Sequence, residues 1–95
     1  MKKAIKHNGG KAQWSLLLDS FAEELEGVVR VLEYGALKYA RDNWQGDLPD
    51  PNFYRDAMFR HLLADEENDA ESGLPHYYHA ICCILMHKWH INKDE

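Results

Sequence analysis

The sequence predicts a small all-α bundle of three to four helices, and three observations predict it. Apolar residues recur at helical spacing over long stretches. No stretch alternates apolar and polar residues as a half-buried strand would, and Gly- and Pro-bearing breaks cut the chain into helix-sized pieces. At 95 residues the chain is one domain with a modest core, so assembly into a homodimer or homotetramer is expected to complete it.

The basic, glycine-bearing opening, residues 1–10, reads as a mobile arm, and 11–95 as the single helical domain. From Trp14 to about Asp42, Leu17, Leu18, Phe21, Leu25, Val28, Val29, Leu32, Ala36 and Tyr39 keep helical spacing. Gly27 and Gly35 each weaken that helix by roughly 1 kcal/mol relative to Ala, so they mark kinks or places where backbone or ligand comes close. "NWQGDLPDPN" is a loop, and Asn52 is placed to cap a second helix from Phe53 to about Glu67. "ESGLP" is the next break, with Pro75 at the first turn of a last helix reaching about Asn92. Ala80, Ile81, Ile84, Leu85, Met86 and Trp89 cover most of its circumference, which predicts burial nearly all round; His76, His79, Cys83, His87 and His90 share the remaining stripe.

Composition removes several function classes. The formal net charge is −5, and no Lys/Arg stripe follows the first few residues, so nucleic-acid polymer binding is not expected. An acidic balance suits a protein that gathers divalent cations. No apolar run is long enough for a membrane span, and the basic opening lacks the apolar core and cleavage site of a signal peptide. The two cysteines, Cys82 and Cys83, are adjacent within a helix and point apart, so no internal disulfide is expected and a reduced, cytoplasmic setting follows.

The richest stretch is "DEENDAESGLPHYYH", Asp65 to His79, with five carboxylates in its first seven residues. Read as a helix end, Glu66 and Asp69 lie three apart on one face, close enough to repel unless a cation or proton sits between them. The same pair also reads as a plain solvated helix end. On the long helix Glu23, Glu26 and Glu33 fall near one another, although Arg30, four after Glu26, offers a simple salt bridge instead. Facing Glu66 and Asp69 across a bundle, these glutamates would complete a carboxylate cage for one or two cations.

"YGALKYARDNW" holds the parts of a nucleotide pocket: Lys38 for phosphate, Asn43 for a base edge, and Tyr39 and Trp44 for stacking. On residue types alone, an amphipathic helix end with its cations near the C-terminus is the favoured reading. In "HYYHAICC" His76, His79 and Cys83 have zinc-like spacing, but one helix rarely supplies a whole tetrahedral site. Histidines orienting carboxylates, with Arg60 and His61 in the same network, are the commoner arrangement.

The order of these pieces carries more than any one of them. "GKAQWSLL", "LEYGALKYARDNW", "YRDAMFRHLLA" and "DAESGLPHYYHAICC" in succession resemble the phage dATP/dGTP diphosphohydrolase-like family, related to the MazG-type all-α nucleoside triphosphate pyrophosphohydrolases; the likeness runs from Gly10 to Cys83. The resemblance implies metal-dependent hydrolysis of a (deoxy)nucleoside triphosphate, purine dNTPs foremost, to monophosphate and pyrophosphate. It implies Mg²⁺ or Mn²⁺ on Glu23, Glu26, Glu66 and Asp69, with Glu26, Glu33, Lys38 and Arg60 acting in catalysis. Lys38, Tyr39, Asn43, Trp44, His61, His76 and His79 would meet the substrate. Whether Glu23–Glu26 or Glu26–Glu33 is the working pair stays open. A rival from another class is a non-catalytic helical phage accessory or regulatory module. Within the enzymes, cleavage between β and γ would release orthophosphate. A histidine–aspartate hydrolase is disfavoured, because no His-Asp dipeptide occurs.

Overall fold

A computed structural model describes Ala4, Ile5 and residues 9–94. It contains α1 (Ser15–Lys38), a 3₁₀ turn (Asn43–Gln45), α2 (Phe53–Leu63) and α3 (His76–Lys93). Among the described residues there is no strand beyond one isolated bridge between Asn68 and Pro75, so the all-α expectation holds. Most of the arm expected over residues 1–10 lies outside the described residues.

The long apolar periodicity at 14–42 does form a helix, but it stops at Lys38. Tyr39 leaves helical geometry, and Asp42 takes a left-handed backbone (φ 61°) that reverses the chain. The reversal seats Trp44 edge-on against Trp89, ring centroids 5.0 Å apart. The Trp44 carbonyl then accepts hydrogen bonds from the Tyr54 hydroxyl (3.3 Å) and His90 Nε2 (2.8 Å). Long-range packing of one indole outweighs the few tenths of a kcal/mol per residue that propensity offers for continuing the helix. Asn52 precedes α2 as expected, yet its side chain caps nothing; its N–H is instead taken by Asp50 Oδ1 at 2.7 Å.

The second helix is shorter than expected, ending at Leu63 with Ala64 extended. Glu66 and Asp69 are therefore not a helical i,i+3 pair. Five carboxylates at a helix C-terminus would oppose the helix dipole, and a better arrangement exists for them. Asp69 Oδ1 accepts the N–H groups of Glu71 (3.0 Å) and Ser72 (2.8 Å), and Gly73 turns left-handed (φ 74°). Asp69 N–H to the Leu74 carbonyl and His76 N–H to the Glu67 carbonyl close the loop. This is an Asx-type turn, in which a short side chain replaces helical hydrogen bonding with its own.

The last helix is the centre of the molecule. Both α1 and α2 pack on it, and they contact each other little. Val28, Val31 and Cys82 form the core between α1 and α3, with Leu74, Tyr78 and Met86 against them. The Cys82 thiol donates to the Val28 carbonyl, 3.5 Å away. Both cysteines are free, as expected, and both are buried. Burial is the main reason their thiols are pushed up, Cys82 to about 12 and Cys83 to about 11. The expectation that α3 is buried all round fails: Ala80, Cys82 and Cys83 are buried, while Tyr77, Ile81, Ile84, Leu85 and Ile91 lie exposed. Two helices cannot enclose a third. Each covers one sector, and the histidine stripe, not the aliphatic one, faces α2.

The N-terminal half of α1 stands away from the other helices. Phe21 departs from helical geometry, and Trp14 and Leu16 are 68% and 70% exposed. The radius of gyration is 17.2 Å, against about 12 Å for a compact chain of this length.

The two glycines of α1 separate cleanly. A Cβ on Gly27 would lie 2.3 Å from the Tyr78 ring, whereas one on Gly35 meets nothing described within 4 Å. Gly27→Ala is expected to destabilise by about 1–3 kcal/mol through overpacking, and Gly35→Ala to stabilise by about 0.5–1 kcal/mol. Urea unfolding of the two variants, side by side, checks both signs.

Candidate active site

Two neighbourhoods collect the chemistry-bearing side chains. The first is a groove of about 580 Å³ between the C-terminal half of α1, the 3₁₀ turn and Tyr54. Tyr39, Asn43 and Trp44 all line it, with Glu33, Arg41 and Met86. Its walls are largely apolar and aromatic with a few polar groups, the usual make-up of a small-molecule site. The sequence-predicted substrate residues Tyr39, Asn43 and Trp44 are thus brought together by the chain reversal that ended α1 early.

The second neighbourhood lies where the α2 C-terminus, the Asp69 turn and the α3 N-terminus converge. His61 Nδ1 and His76 Nδ1 are 2.8 Å apart. His61 stacks on His79, centroids 4.7 Å apart and planes 11° from parallel. His79 Nε2 shares a 2.7 Å hydrogen bond with the Ser72 hydroxyl, which also accepts the Leu74 N–H at 3.1 Å. One donor atom from each of His61, Asp69 and His76 falls within 4.8 Å of the others, the only such set of three His, Cys, Asp or Glu residues among those described. Burial first, then the neighbouring imidazoles, holds His61 below the ordinary histidine range; burial does the same for His79, against the pull of Asp69. Burial works against the charge of Asp69, but the N–H groups of its own turn and the nearby His79 outweigh it, and the carboxyl sits below its usual value.

Lys38 ties the two neighbourhoods together. Its ammonium pairs with Glu71 of the turn, which raises the lysine and lowers the carboxyl. Glu71 also accepts from the Tyr34 hydroxyl and raises that phenol, while the Tyr34 ring meets His79 edge-on at 6.4 Å. Glu71, Tyr34, Ser72 and Tyr54 were not among the residues singled out in the sequence. The "DAESGLP" stretch and the i,i+4 spacing of Tyr34 and Lys38 were the available signals for the first three.

The other candidates are placed as follows. Glu26 and Glu33 both pair with Arg30, each at 3.1 Å, on an exposed flank of α1, so the simple salt-bridge alternative is present and extends to a second glutamate. Glu23 is exposed on the projecting half of α1, and Arg60 is exposed on α2. Glu66 borders a depression of about 290 Å³ that also includes His61 and His76. The structure therefore brings Glu66 and Asp69 to the same two histidines, while Glu23 and Glu26 lie outside the convergent donor set.

Fold and site together define a small all-α domain with an aromatic groove beside a histidine–carboxylate cluster. The family model for the N-terminal region of dATP/dGTP diphosphohydrolases matches residues 1–95, and the chain belongs to that family. A dATP/dGTP diphosphohydrolase of Salmonella phage PMBT28 is 41% identical over 92 residues, which cover 94% of this chain. The chain spans 30% of that relative's length. No solved structure matches. Among the described residues no helix is long and apolar enough to cross a membrane.

Asp69→Ala is expected to cost about 1–2 kcal/mol, because two turn N–H groups lose their acceptor, and Asp69→Asn, which keeps an acceptor oxygen, less. The native carboxyl is depressed, so its contribution is present above the unfolded value, about pH 4, and is lost as pH falls through the folded value. Chemical denaturation in EDTA between about pH 5 and 2 is expected to show a shallower pH dependence in the Asn variant than in the wild type.

Proposed function

We propose that this domain takes part in hydrolysing purine deoxynucleoside triphosphates to monophosphate and pyrophosphate, with a divalent cation bound. Membership of the dATP/dGTP diphosphohydrolase family across the whole chain carries the reading. The groove adds support: at about 580 Å³ it has room for a nucleoside, and its walls combine rings for stacking with an amide for a base edge. In this reading Tyr39 and Trp44 hold the base and Asn43 pairs with it. Lys38, next in sequence to Tyr39, exchanges Glu71 for phosphate oxygens, assisted by Arg60. His61, His76 and His79 orient the carboxylates of the acidic loop.

The donor chemistry fits Mg²⁺ or Mn²⁺ at the Glu66–Asp69 end, where hard oxygens gather. Glu26 would join only by leaving Arg30, and Glu23 or Glu33 would assist it. When bound, the cation neutralises charge on the phosphates and lowers the pKa of the attacking water. A glutamate left free of metal, Glu33 or Glu26, is the candidate for taking that water's proton.

A second reading, a non-catalytic helical module, is favoured by one observation: Arg30 already occupies both Glu26 and Glu33. The exposed apolar residues of α1 and α3 further suit a homodimer or homotetramer, with a site completed by a second copy. Light scattering is expected to give two or four times 11.1 kDa, and a monomer would remove that part of the proposal.

The deciding assay incubates the purified protein with each dNTP and NTP plus Mg²⁺ or Mn²⁺ and resolves the products by chromatography. A monophosphate is expected, with orthophosphate appearing only after pyrophosphatase is added. Direct orthophosphate release would move cleavage to the β–γ bond, and no turnover by a folded protein would favour the module. If turnover is seen, Tyr39→Ala is expected to raise KM about tenfold, the loss of one stacked base, with kcat changed less.

A further inference from the structure

Three elements of different kinds deliver their nitrogen- and oxygen-bearing side chains to one point. His61 comes from the last turn of α2, Asp69 from the loop, and His76 from the first position of α3. The two Nδ1 atoms approach to 2.8 Å, and a carboxylate oxygen of Asp69 completes a set within 4.8 Å. The imidazole planes are tilted 44° and the rings do not stack, so the contact is made by the nitrogens and not by the ring faces. Such a contact has two physical explanations. Either one N–H is shared between the rings, or both lone pairs converge where a cation belongs. A metal bonded to each nitrogen at about 2.0–2.1 Å in tetrahedral geometry would hold them roughly 3.3 Å apart, a half-ångström adjustment.

The surroundings separate these explanations. A shared proton needs only the two rings, yet every member of the set is braced by groups outside it. His61 lies flat on His79, and His79 is held by Ser72. Both turn N–H groups bond Asp69 Oδ1. The backbone N–H of His76 is fixed on the Glu67 carbonyl at 2.9 Å, which anchors the main chain that carries its ring. Outer groups that orient the ligands before the ion arrives are a regular feature of metal sites. The set also opens on a cation-friendly space: the depression beside His61 and His76 is lined by Asp65, Glu66 and Glu67.

We infer that His61, Asp69 and His76 form a binding site for a divalent transition-metal ion of the Zn²⁺ class, with its remaining coordination positions facing the acidic depression. Two imidazoles and one carboxylate select such an ion over Mg²⁺, which prefers oxygen donors and gives up its water reluctantly. The site goes beyond the proposed reaction. It shares Asp69 with the Mg²⁺ end of that proposal, but adds two nitrogen donors, His61 and His76, where that reaction calls for oxygens, and it requires neither Glu23 nor Glu26.

Co²⁺ serves as the spectroscopic probe. Chelator-stripped protein, without nucleotide, is titrated with Co²⁺ and followed by visible absorption, then back-titrated with Zn²⁺; calorimetry gives the Zn²⁺ stoichiometry. The expected result is one ion per chain, d–d bands abolished by Zn²⁺, and bands that survive a hundredfold excess of Mg²⁺. His61→Ala and His76→Ala are expected to weaken Zn²⁺ binding at least tenfold. His87→Ala, which removes a histidine of α3 outside the set, should leave it unchanged. If either alanine variant fails to fold by circular dichroism, His61→Asn and His76→Gln test the same ligands with polar replacements. No saturable Co²⁺ spectrum, or equal weakening in His87→Ala, would overturn the site. Because no nucleotide is present, loss of this binding and loss of triphosphate hydrolysis are read separately.

Discussion

Asp69 decides more of this structure than its position in a loop suggests. Its Oδ1 gathers the N–H groups of Glu71 and Ser72, its carbonyl accepts from Gly73, and its own N–H reaches Leu74. These bonds convert an acidic stretch, read from the sequence as the end of α2, into a closed turn. The place where the turn closes fixes the start of α3 at His76, which in turn sets the phase of the helix. With that phase His76 and His79 look back at His61, and Glu71 is presented to Lys38. A different closure, by one residue, would rotate α3 by about 100° and aim its aliphatic stripe at α2 instead.

Around that turn the helices follow from what α3 can accommodate. It meets α1 through a close contact, Tyr78 over Gly27, where any larger residue would hold the helices apart. It meets α2 through rings and polar atoms, including Tyr54 stacked on His90 at 5.8 Å. The core is therefore narrow: Val28, Val31 and Cys82 on one side, Ala80 and Cys83 completing the buried set. So small a core leaves Trp14, Leu16 and the outward face of α3 in water, a large exposed apolar surface.

Much of the fold was legible in the sequence, because its signals are local. Periodicity located all three helices, and the Gly/Pro breaks located their separations. The adjacency of Cys82 and Cys83 correctly forbade a disulfide. Helix ends were less legible, since contacts distant in sequence decide them: Trp44 on Trp89 cut α1 short, and the Asp69 turn cut α2 short. The burial pattern of α3 misled for a related reason. Hydrophobicity says which residues would be buried given enough partners, not how many partners there are. In the site, Tyr39, Asn43 and Trp44 could be grouped because they are neighbours along the chain. The pair Lys38–Glu71 spans a loop, and neither partner carries a mark of the other; His61 could be grouped with His76 and His79, but nothing along the chain marks the direct contact of the His61 and His76 Nδ1 atoms. The family was legible through the order of several short motifs, each weak alone.

The two buried cysteines make the protein its own reporter of motion. Cys82 sits under α1, bonded to the Val28 carbonyl, and Cys83 faces the Tyr54 and Arg60 side of α2. With their thiols pushed to about 12 and 11, and both shielded, neither reacts while the helices stay packed. Modification by a thiol reagent thus counts openings, not surface accessibility. Which sulfur is modified first tells whether α1 or α2 lifts from the central helix at lower free energy. Two neighbouring residues so distinguish two different excursions of one small fold.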